Sequence, residues 1–394
     1  MKKPLLVLKF GGTSVGSTER IRAVAARIIE SKNAGHQLVV VVSAMSGETN
    51  RLMELAHDID AVPNARELDV LLAAGEQVSM SLLSMELNRL GCSACSLTGA
   101  QAGIMTDNLH NNATIKEIET SNIHSLLEEG HVVIVAGFQG INNNGDITTL
   151  GRGGSDTTAV ALAGALDADE CQIFTDVDGI YSCDPRIVDE AVQLEYIDFP
   201  NMEEMARKGA KVLHLPCVQL AWKHQVPLRV RSSFSHKTGT LVKGETCQHG
   251  ICGIAIQRDL LFVQVEESDL DMLITQCQLL GVKVWTVIEE TERSGVVINQ
   301  GAFAQLGLVF THKIRNSEQM SSLTSVGSKA KRIVEHSCEL LAEYEIEVFS
   351  SSSGEQYSML LLKPNCVDSA ANIIHNKYIV SKEALEEQQK YAVS

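Results

Sequence analysis

An α/β fold built on a mainly parallel sheet, followed by two small α+β units, is the class this sequence predicts. Three observations carry that prediction. Runs such as Leu38-Val39-Val40-Val41-Val42 and Val132-Val133-Ile134-Val135 have the character of strands buried on both faces. Helical stretches separate them, so strand and helix signals alternate to about residue 245. After Lys243-Gly244-Glu245 the pattern changes to two shorter successions of strand and helix.

Each element follows from its own residues. The first strand, Leu5 to Phe10, runs into Gly11-Gly12-Thr13-Ser14-Val15-Gly16, and Ser17 is placed to cap a helix whose apolar positions are Ile21, Val24, Ala25, Ile28 and Ile29. That spacing is the stripe of a helix packed on a sheet. The strand at 38–42 ends in Ser43-Ala44-Met45-Ser46-Gly47, before a helix with Leu52, Leu55 and Ala56. Val78 to Leu90 reads as a helix stopped by Gly91. The strand at 132–135 ends at Ala136-Gly137-Phe138-Gln139-Gly140, Ala159 to Leu166 is a helix of small residues, and Cys171 to Phe174 is a strand ending at Thr175-Asp176. Val226 to Val230 is the last strand of this part. In an open α/β sheet ligands bind beyond the carboxyl ends of the strands, which makes these ends the candidate site.

Beyond residue 250, strands are expected at Ile254–Val265, Val282–Ile288, Ser321–Val326, Ile346–Phe349 and Met359–Leu362, with helices at Leu270–Leu280 and Ala330–Tyr344. Two units of about 65–70 residues fit the βαββαβ ferredoxin-like pattern. Glu383 to Lys390 reads as a polar, frayed helix.

Composition narrows the function classes. The 394 residues suffice for two or three domains of ~100–200 residues each. Apolar residues make up 44% and charged residues 21%, as in soluble globular proteins. The net charge of −16, without a basic cluster, argues against nucleic acid and anionic membrane as partners. No apolar run reaches the ~18 residues of a membrane span. Lys9 and Gly11-Gly12 interrupt the first apolar stretch too early for a signal peptide. The ten cysteines are thinly spread and read as buried thiols of a cytoplasmic protein. Cys92-Ser93-Ala94-Cys95 is a lone pair, and Cys247 and Cys252 are too far apart to complete a zinc site.

Five segments carry candidate chemistry. The turn after Lys9 joins a cation, close-approaching glycine amides and a helix N-terminus, a combination that attracts phosphate. The lysine precedes the glycines, so this is not a Walker A loop. Thr148 to Thr158 again places glycines, hydroxyls, Arg152 and Asp156 at the mouth of a helix. Arg152 can hold a carboxylate by two bonds, the amides of Gly153-Gly154-Ser155 can meet phosphate, and Asp156 can cap the helix or orient a lysine. Phe174 to Arg186 offers Tyr181 and Arg186 to a nucleotide, or forms a surface hairpin. Lys211 is a second phosphate cation or a solvated helix lysine, and Glu76 is a helix-start charge or the partner of an ammonium group. Together these groups describe phosphoryl transfer from a nucleotide to an amino acid, which is mostly positioning and charge neutralisation.

Lys9-Phe10-Gly11-Gly12-Thr13-Ser14, Leu150-Gly151-Arg152-Gly153-Gly154-Ser155-Asp156 and Thr175-Asp176-Val177-Asp178-Gly179-Ile180 resemble the aspartate kinase family in order and spacing, over roughly residues 4–245. The first motif is particular to that family within the wider amino-acid-kinase fold. The resemblance implies a three-layer catalytic domain at residues 1–245 and two ACT units at 251–315 and 316–394. It implies catalytic roles for Lys9 and Asp156, and contacts to aspartate from Ser43, Thr49, Glu76, Arg152 and Ser155. It implies ATP contacts from Lys9, Gly11, Gly12, Thr175, Asp176, Tyr181, Arg186 and Lys211. Mg²⁺ would arrive with ATP and need few protein ligands, and no metal site of the protein's own is expected. The product would be 4-phospho-L-aspartate, the entry to lysine, threonine and methionine synthesis, and the enzyme would form a homodimer or higher homo-oligomer through its ACT units.

The chain departs from the family pattern in the two turns that present backbone groups to a lysine or threonine effector. A Pro-Gly turn is replaced by Glu266-Glu267-Ser268-Asp269-Leu270-Asp271, and a His-Pro-Gly-type turn by Val326-Gly327-Ser328-Lys329-Ala330. Weak or absent feedback inhibition is the expectation. Two rivals remain at this point: a kinase for another carboxylate such as glutamate, and a catalytically silent ligand-binding subunit, against which intact Lys9, Arg152 and Asp156 argue.

Overall fold

The computed structural model describes residues 3–245, 250–290 and 293–381. Cys247 and the stretch Glu383–Lys390 lie outside these residues. The chain divides into two compact units, and the division is not a single cut. One unit comprises Met1–Ile180, Gln193–Glu203 and Val212–Glu245, and the other Tyr181–Val192, Glu204–Lys211 and Thr246–Ser394.

The strands of the first unit are β1 (Leu5–Phe10), β2 (Gln37–Val42), β3 (Ala94–Leu97), β4 (Ile104–Thr106), β5 (Ile115–Ile118), β6 (Val132–Ala136), β7 (Gln139–Ile141), β8 (Ile147–Thr149), β9 (Glu170–Thr175), β10 (Tyr196–Ile197), β11 (Leu228–Ser232) and β12 (Thr240–Val242). Its helices include α1 (Thr18–Asn33), α2 (Glu48–Ile59), α3 (Ala65–Arg89), α4 (Ser121–Glu128) and α5 (Gly154–Ala165). They are followed by α6 (Phe199–Arg207), whose last four residues belong to the second unit, and α7 (Leu215–Lys223). Eight strands form one sheet in the order β10-β12-β11-β9-β1-β2-β6-β3. β1 pairs in parallel with β2 and with β9, so the sequence order reverses at its carboxyl end. Such a switch point opens a crevice. A smaller sheet, β5-β4-β7-β8, leads into the Gly151-Arg152 turn.

Strand alternation makes the layers. Leu6, Leu8 and Phe10 of β1, with Val40, Val42 and Ile134, pack against Ile21, Val24 and Ile28 of α1 and Leu83 and Leu87 of α3. The intervening residues, Lys9 among them, point to the opposite face. There α5, built from small and largely buried residues, closes on the central strands.

The second unit contains β13 (Gly253–Gln264), α8 (Leu270–Leu279), β14 (Val284–Glu290), β15 (Arg293–Asn299), α9 (Phe303–Phe310), β16 (Asn316–Val326), α10 (Val334–Glu343), β17 (Ser350–Ser353), β18 (Tyr357–Leu362) and α11 (Val367–His375). This is a βαββα succession written twice. The first strands of the two halves pair with each other, giving a single six-stranded sheet, β14-β15-β13-β16-β18-β17. A fourth strand within each half is therefore not needed to cover the inner edge. The strand expected at 346–349 begins only at Ser350, and β15, α9 and α11 are additions to the sequence reading. In the first half, Leu270, Leu273 and Cys277 of α8 and Leu306 and Phe310 of α9 pack on Leu261, Val263, Val296 and Ile298. In the second, Leu341 of α10 and Val367, Ala370 and Ile374 of α11 pack on Leu323, Leu360 and Leu362, joined by Cys183 and Val188.

Both departing turns have local partners. Asp269 is paired with Lys313 at 2.6 Å and Glu266 with Arg315, so their negative charge is matched within the unit. Gly327, at φ 148°, lies against the Gly250 carbonyl, where a Cβ would come within 2.4 Å.

No disulfide joins any cysteine among the described residues. Burial pushes the Cys183 thiol up to about 12 and the thiols of Cys171 and Cys217 upward as well. These three are expected to stay silent to Ellman's reagent in the native protein and to react on unfolding; labelling of any of them at native-state rates would contradict this packing. No helix among the described residues is long and apolar enough to cross a membrane.

Candidate active site

A cavity of about 690 Å³ opens in the first unit at the carboxyl ends of β1, β2 and β6. It is lined by Lys9, Gly12, Ser43, Thr49, Glu76, Arg152, Ser155 and Asp156, which the sequence reading had singled out. Gly11, Thr175 and Asp176 belong to the same unit but not to this lining. Tyr181, Arg186 and Lys211 belong to the second unit. There the Arg186 guanidinium forks onto Asp184, with Nε–Oδ1 at 3.0 Å and Nη2–Oδ2 at 2.7 Å.

The floor of the cavity is an ion pair. Lys9 projects from the end of β1 and Asp156 from the first turn of α5, and Nζ lies 2.6 Å from Oδ1 with both side chains about 10% exposed. α5 begins at a left-handed Gly153 (φ 71°) with no side-chain cap; the Gly154 N–H is held by the Gly151 carbonyl, which leaves the amides of Ser155 and Asp156, both lining residues, for the cavity. A helix start with open N–H groups holds anions well. Gly153 cannot carry a side chain here, since a Cβ would come within 2.5 Å of the His214 ring, which also lines the cavity.

The backbone at Ser43-Ala44 is clamped from α3. Glu76 Oε1 accepts the Ala44 N–H at 3.0 Å, and the Ser79 hydroxyl donates to the Ser43 carbonyl at 2.6 Å. Glu76 Oε2 is buried without a hydrogen-bond partner. Burial pushes this carboxyl up to about 7, against the pull of the Ala44 amide. Glu76 does not open a helix as the sequence suggested; it sits in the middle of α3, 4% exposed. The buried stripe of α3 includes Asp69, Gly75, Ser79 and Ser84, so polarity conceals the helix's start eleven residues earlier in the chain.

Gly12 fixes the opposite rim. A Cβ there would lie 2.9 Å from the Ala44 carbonyl oxygen. Gly12→Ala must push this clamped backbone aside, and kcat/KM is expected to fall on the order of 10–100-fold, as small misplacements in preorganised sites do. Steady-state rates with a circular-dichroism control check this; wild-type rates would show that the rim yields.

Asn50, Met53, Leu68, Leu72, Asn111, Phe138, Thr149 and His214 also line the cavity and were not assigned a role from the sequence. They come from loops, strands and helices far apart in the chain, and most stand outside the glycine-rich motifs. Phe138 has φ 68°, a strained setting for a non-glycine residue, and follows directly on the Ala136-Gly137 strand end that was noted.

The arrangement combines a buried carboxylate with one unpartnered oxygen, a forked cation on a turn, a lysine and a helix N-terminus around one polar hollow. Such a set can hold a zwitterion and stabilise charge on a transferring phosphoryl group. Residues 4–232 match the model of the amino acid kinase family. The chain is 55% identical over 259 residues to an aspartate kinase of Pseudomonas putida, a stretch covering 65% of this chain and 63% of that protein. It thus spans less than two thirds of that relative's length. It is 46% identical over 318 residues to aspartokinase 2 of Bacillus subtilis, covering 80% of this chain and 77% of that one. Among solved structures, E. coli aspartokinase III in complex with aspartate and ADP shares the fold, with a TM-score of 0.79 at 24% identity, over 96% of this chain and 100% of that chain.

Proposed function

Because this chain belongs to the amino acid kinase family, and within it to the aspartokinases, we propose that it transfers the γ-phosphoryl group of ATP to the β-carboxylate of L-aspartate. The observation that carries the proposal is the orphaned, buried Glu76 Oε2, which asks for a cation, in one cavity with Arg152 and the Lys9–Asp156 pair. The E. coli neighbour of the same fold was solved with aspartate and ADP, the acceptor proposed here and the nucleotide that the transfer would leave.

In this reading Glu76 takes the substrate's ammonium group and Arg152 a carboxylate, while Ser43, Thr49 and Ser155 complete the pocket. The β-carboxylate is ionised at neutral pH and attacks the γ-phosphorus directly. The bond to the β,γ-bridging oxygen breaks, and ADP leaves with the electron pair. No proton moves, so no general base is required. Lys9 and the amides of Gly12 and the α5 start offset the charge on the transferring group, whereas the Gly11 N–H, also expected there, is held by the Phe174 carbonyl at 3.2 Å. Asp156 holds Lys9 in place. Thr175 and Asp176 are assigned to the nucleotide, which is taken as its Mg²⁺ complex.

Residues 1–245 carry catalysis in this assignment, and 251–315 and 316–394 are ACT-like modules through which the protein forms a homodimer or higher oligomer in the cytoplasm. With both effector turns replaced, millimolar lysine or threonine is expected to leave the rate unchanged. Hydroxylamine trapping of the acyl phosphate tests all of this in one assay. ATP- and Mg²⁺-dependent hydroxamate from aspartate supports the assignment, and none from aspartate but product from glutamate transfers it to another acceptor. Inhibition by either amino acid would sink the feedback prediction alone.

A further inference from the structure

A second carboxylate on α3 lies close to the cavity without lining it. Asp69 precedes Glu76 by seven residues, two turns along the same helix face. It is fully buried at 0% exposure, and both of its oxygens are engaged. Oδ1 accepts the Thr149 hydroxyl and the Asn111 N–H, and Oδ2 lies 2.6 Å from His110 Nδ1 and 3.1 Å from the same N–H. Removing a charge from water is costly, and one held by this many donors fixes what it touches.

Two pieces of the cavity wall are what it touches. Thr149 ends β8, three residues before Arg152, and Asn111 stands in the loop between β4 and β5 with a left-handed backbone (φ 64°). Both line the cavity. The same loop bears on the Arg152 turn a second time, since a Cβ on Gly151 would lie 2.7 Å from the Asn112 Oδ1. One buried carboxylate thus ties the helix bearing Glu76 to the turn bearing Arg152.

We propose that Asp69 is a positioning residue that sets the separation of Glu76 and Arg152, and through it how tightly the site holds its amino-acid acceptor. The proposal rests on the reading that these two groups hold the acceptor's ammonium group and a carboxylate. A rigid pair of poles meets both charged groups at once, and a slack pair does not.

Asp69→Asn keeps the volume but cannot accept from every donor around it. Its KM for aspartate is expected to rise about tenfold, with KM for ATP within twofold. His110→Gln, at a side chain that is partly exposed, should show the same split in weaker form, and it serves if the Asp69→Asn variant does not fold. Equal changes in the two KM values, or an unmoved KM for aspartate in both variants, would overturn the role of Asp69. A wild-type protein that phosphorylates neither acid would overturn the functional assignment itself, and this proposal with it.

Discussion

Lys9→Met is expected to lower kcat by about 10²–10³-fold, the cost of removing one preorganised charge from a site of charge development. KM for aspartate should change little. The same substitution strands Asp156, whose Oδ1 has Lys9 Nζ at 2.6 Å in a nearly dry setting. Leaving one member of a buried pair alone costs about 3–5 kcal/mol. Thermal unfolding should therefore show a large drop for Lys9→Met and a recovery when Asp156→Asn is added. The rate should not recover in the double variant. Recovery of both would mean that Lys9 serves the fold and not the phosphoryl group, and recovery of neither would mean that the two residues do not form a unit.

The second large effect concerns Glu76. A charged hydrogen bond to the substrate's ammonium contributes about 1.5–3 kcal/mol, so Glu76→Gln should raise KM for aspartate roughly 10–100-fold with kcat nearly kept. The ammonium group needs the ionised carboxylate, and burial pushes this one up to about 7. Wild-type kcat/KM for aspartate should then fall about tenfold per pH unit below 7, a slope absent from Glu76→Gln. Stability runs the other way. The folded carboxyl holds its proton more tightly than the ordinary value of 4.5, so its contribution is fully present below pH 4.5 and is lost as pH rises through about 7. At ~1.4 kcal/mol per unit, the loss above pH 7 is about 3 kcal/mol. Glu76→Gln should therefore melt higher than wild type at pH 8 and similarly to it at pH 4.5. Equal melting temperatures at pH 8 would remove the burial argument. The binding slope alone would then have to stand for the role.

Glycine motifs made half of the site visible in the sequence. Lys9, Gly12, Arg152, Ser155 and Asp156 sit beside glycines whose spacing is dictated by close approach to a ligand, and such spacing survives in one dimension. Glu76 was visible as a charge but misplaced as a helix start, because the buried face of α3 is itself partly polar. Asp69 lay hidden in the same stretch, since an acid in an apolar run reads as a solvated residue until its donors are in view. Those donors, Thr149, His110 and Asn111, are about 40–80 residues away, and nothing local links them. In the C-terminal half, β15 was obscured by Ser294-Gly295, which reads as a turn. A Cβ on Gly295 would come within 2.2 Å of the Val263 carbonyl, so the glycine marks a close strand approach instead. α9 is short and almost wholly apolar, so no polar stripe sets a period, whereas α11 carries the helical spacing at Val367, Ala370, Ala371 and Ile374, a legible stripe that the sequence reading omitted.

The discontinuous second unit imposes a timetable on synthesis. Ser182 finds its buried partner His375 193 residues later, and the Ile187 carbonyl meets Asn372 185 residues later. At translation rates of roughly 5–20 residues per second, the segment from Tyr181 to Val192 waits roughly 10–40 s on the ribosome before its partners exist. Through that interval Cys183 and Val188, which end up at the centre of a core, are apolar surface on a nascent chain. A ribosome that stalls ahead of α11 releases a product with that strip permanently uncovered, suited to capture by a chaperone or a protease.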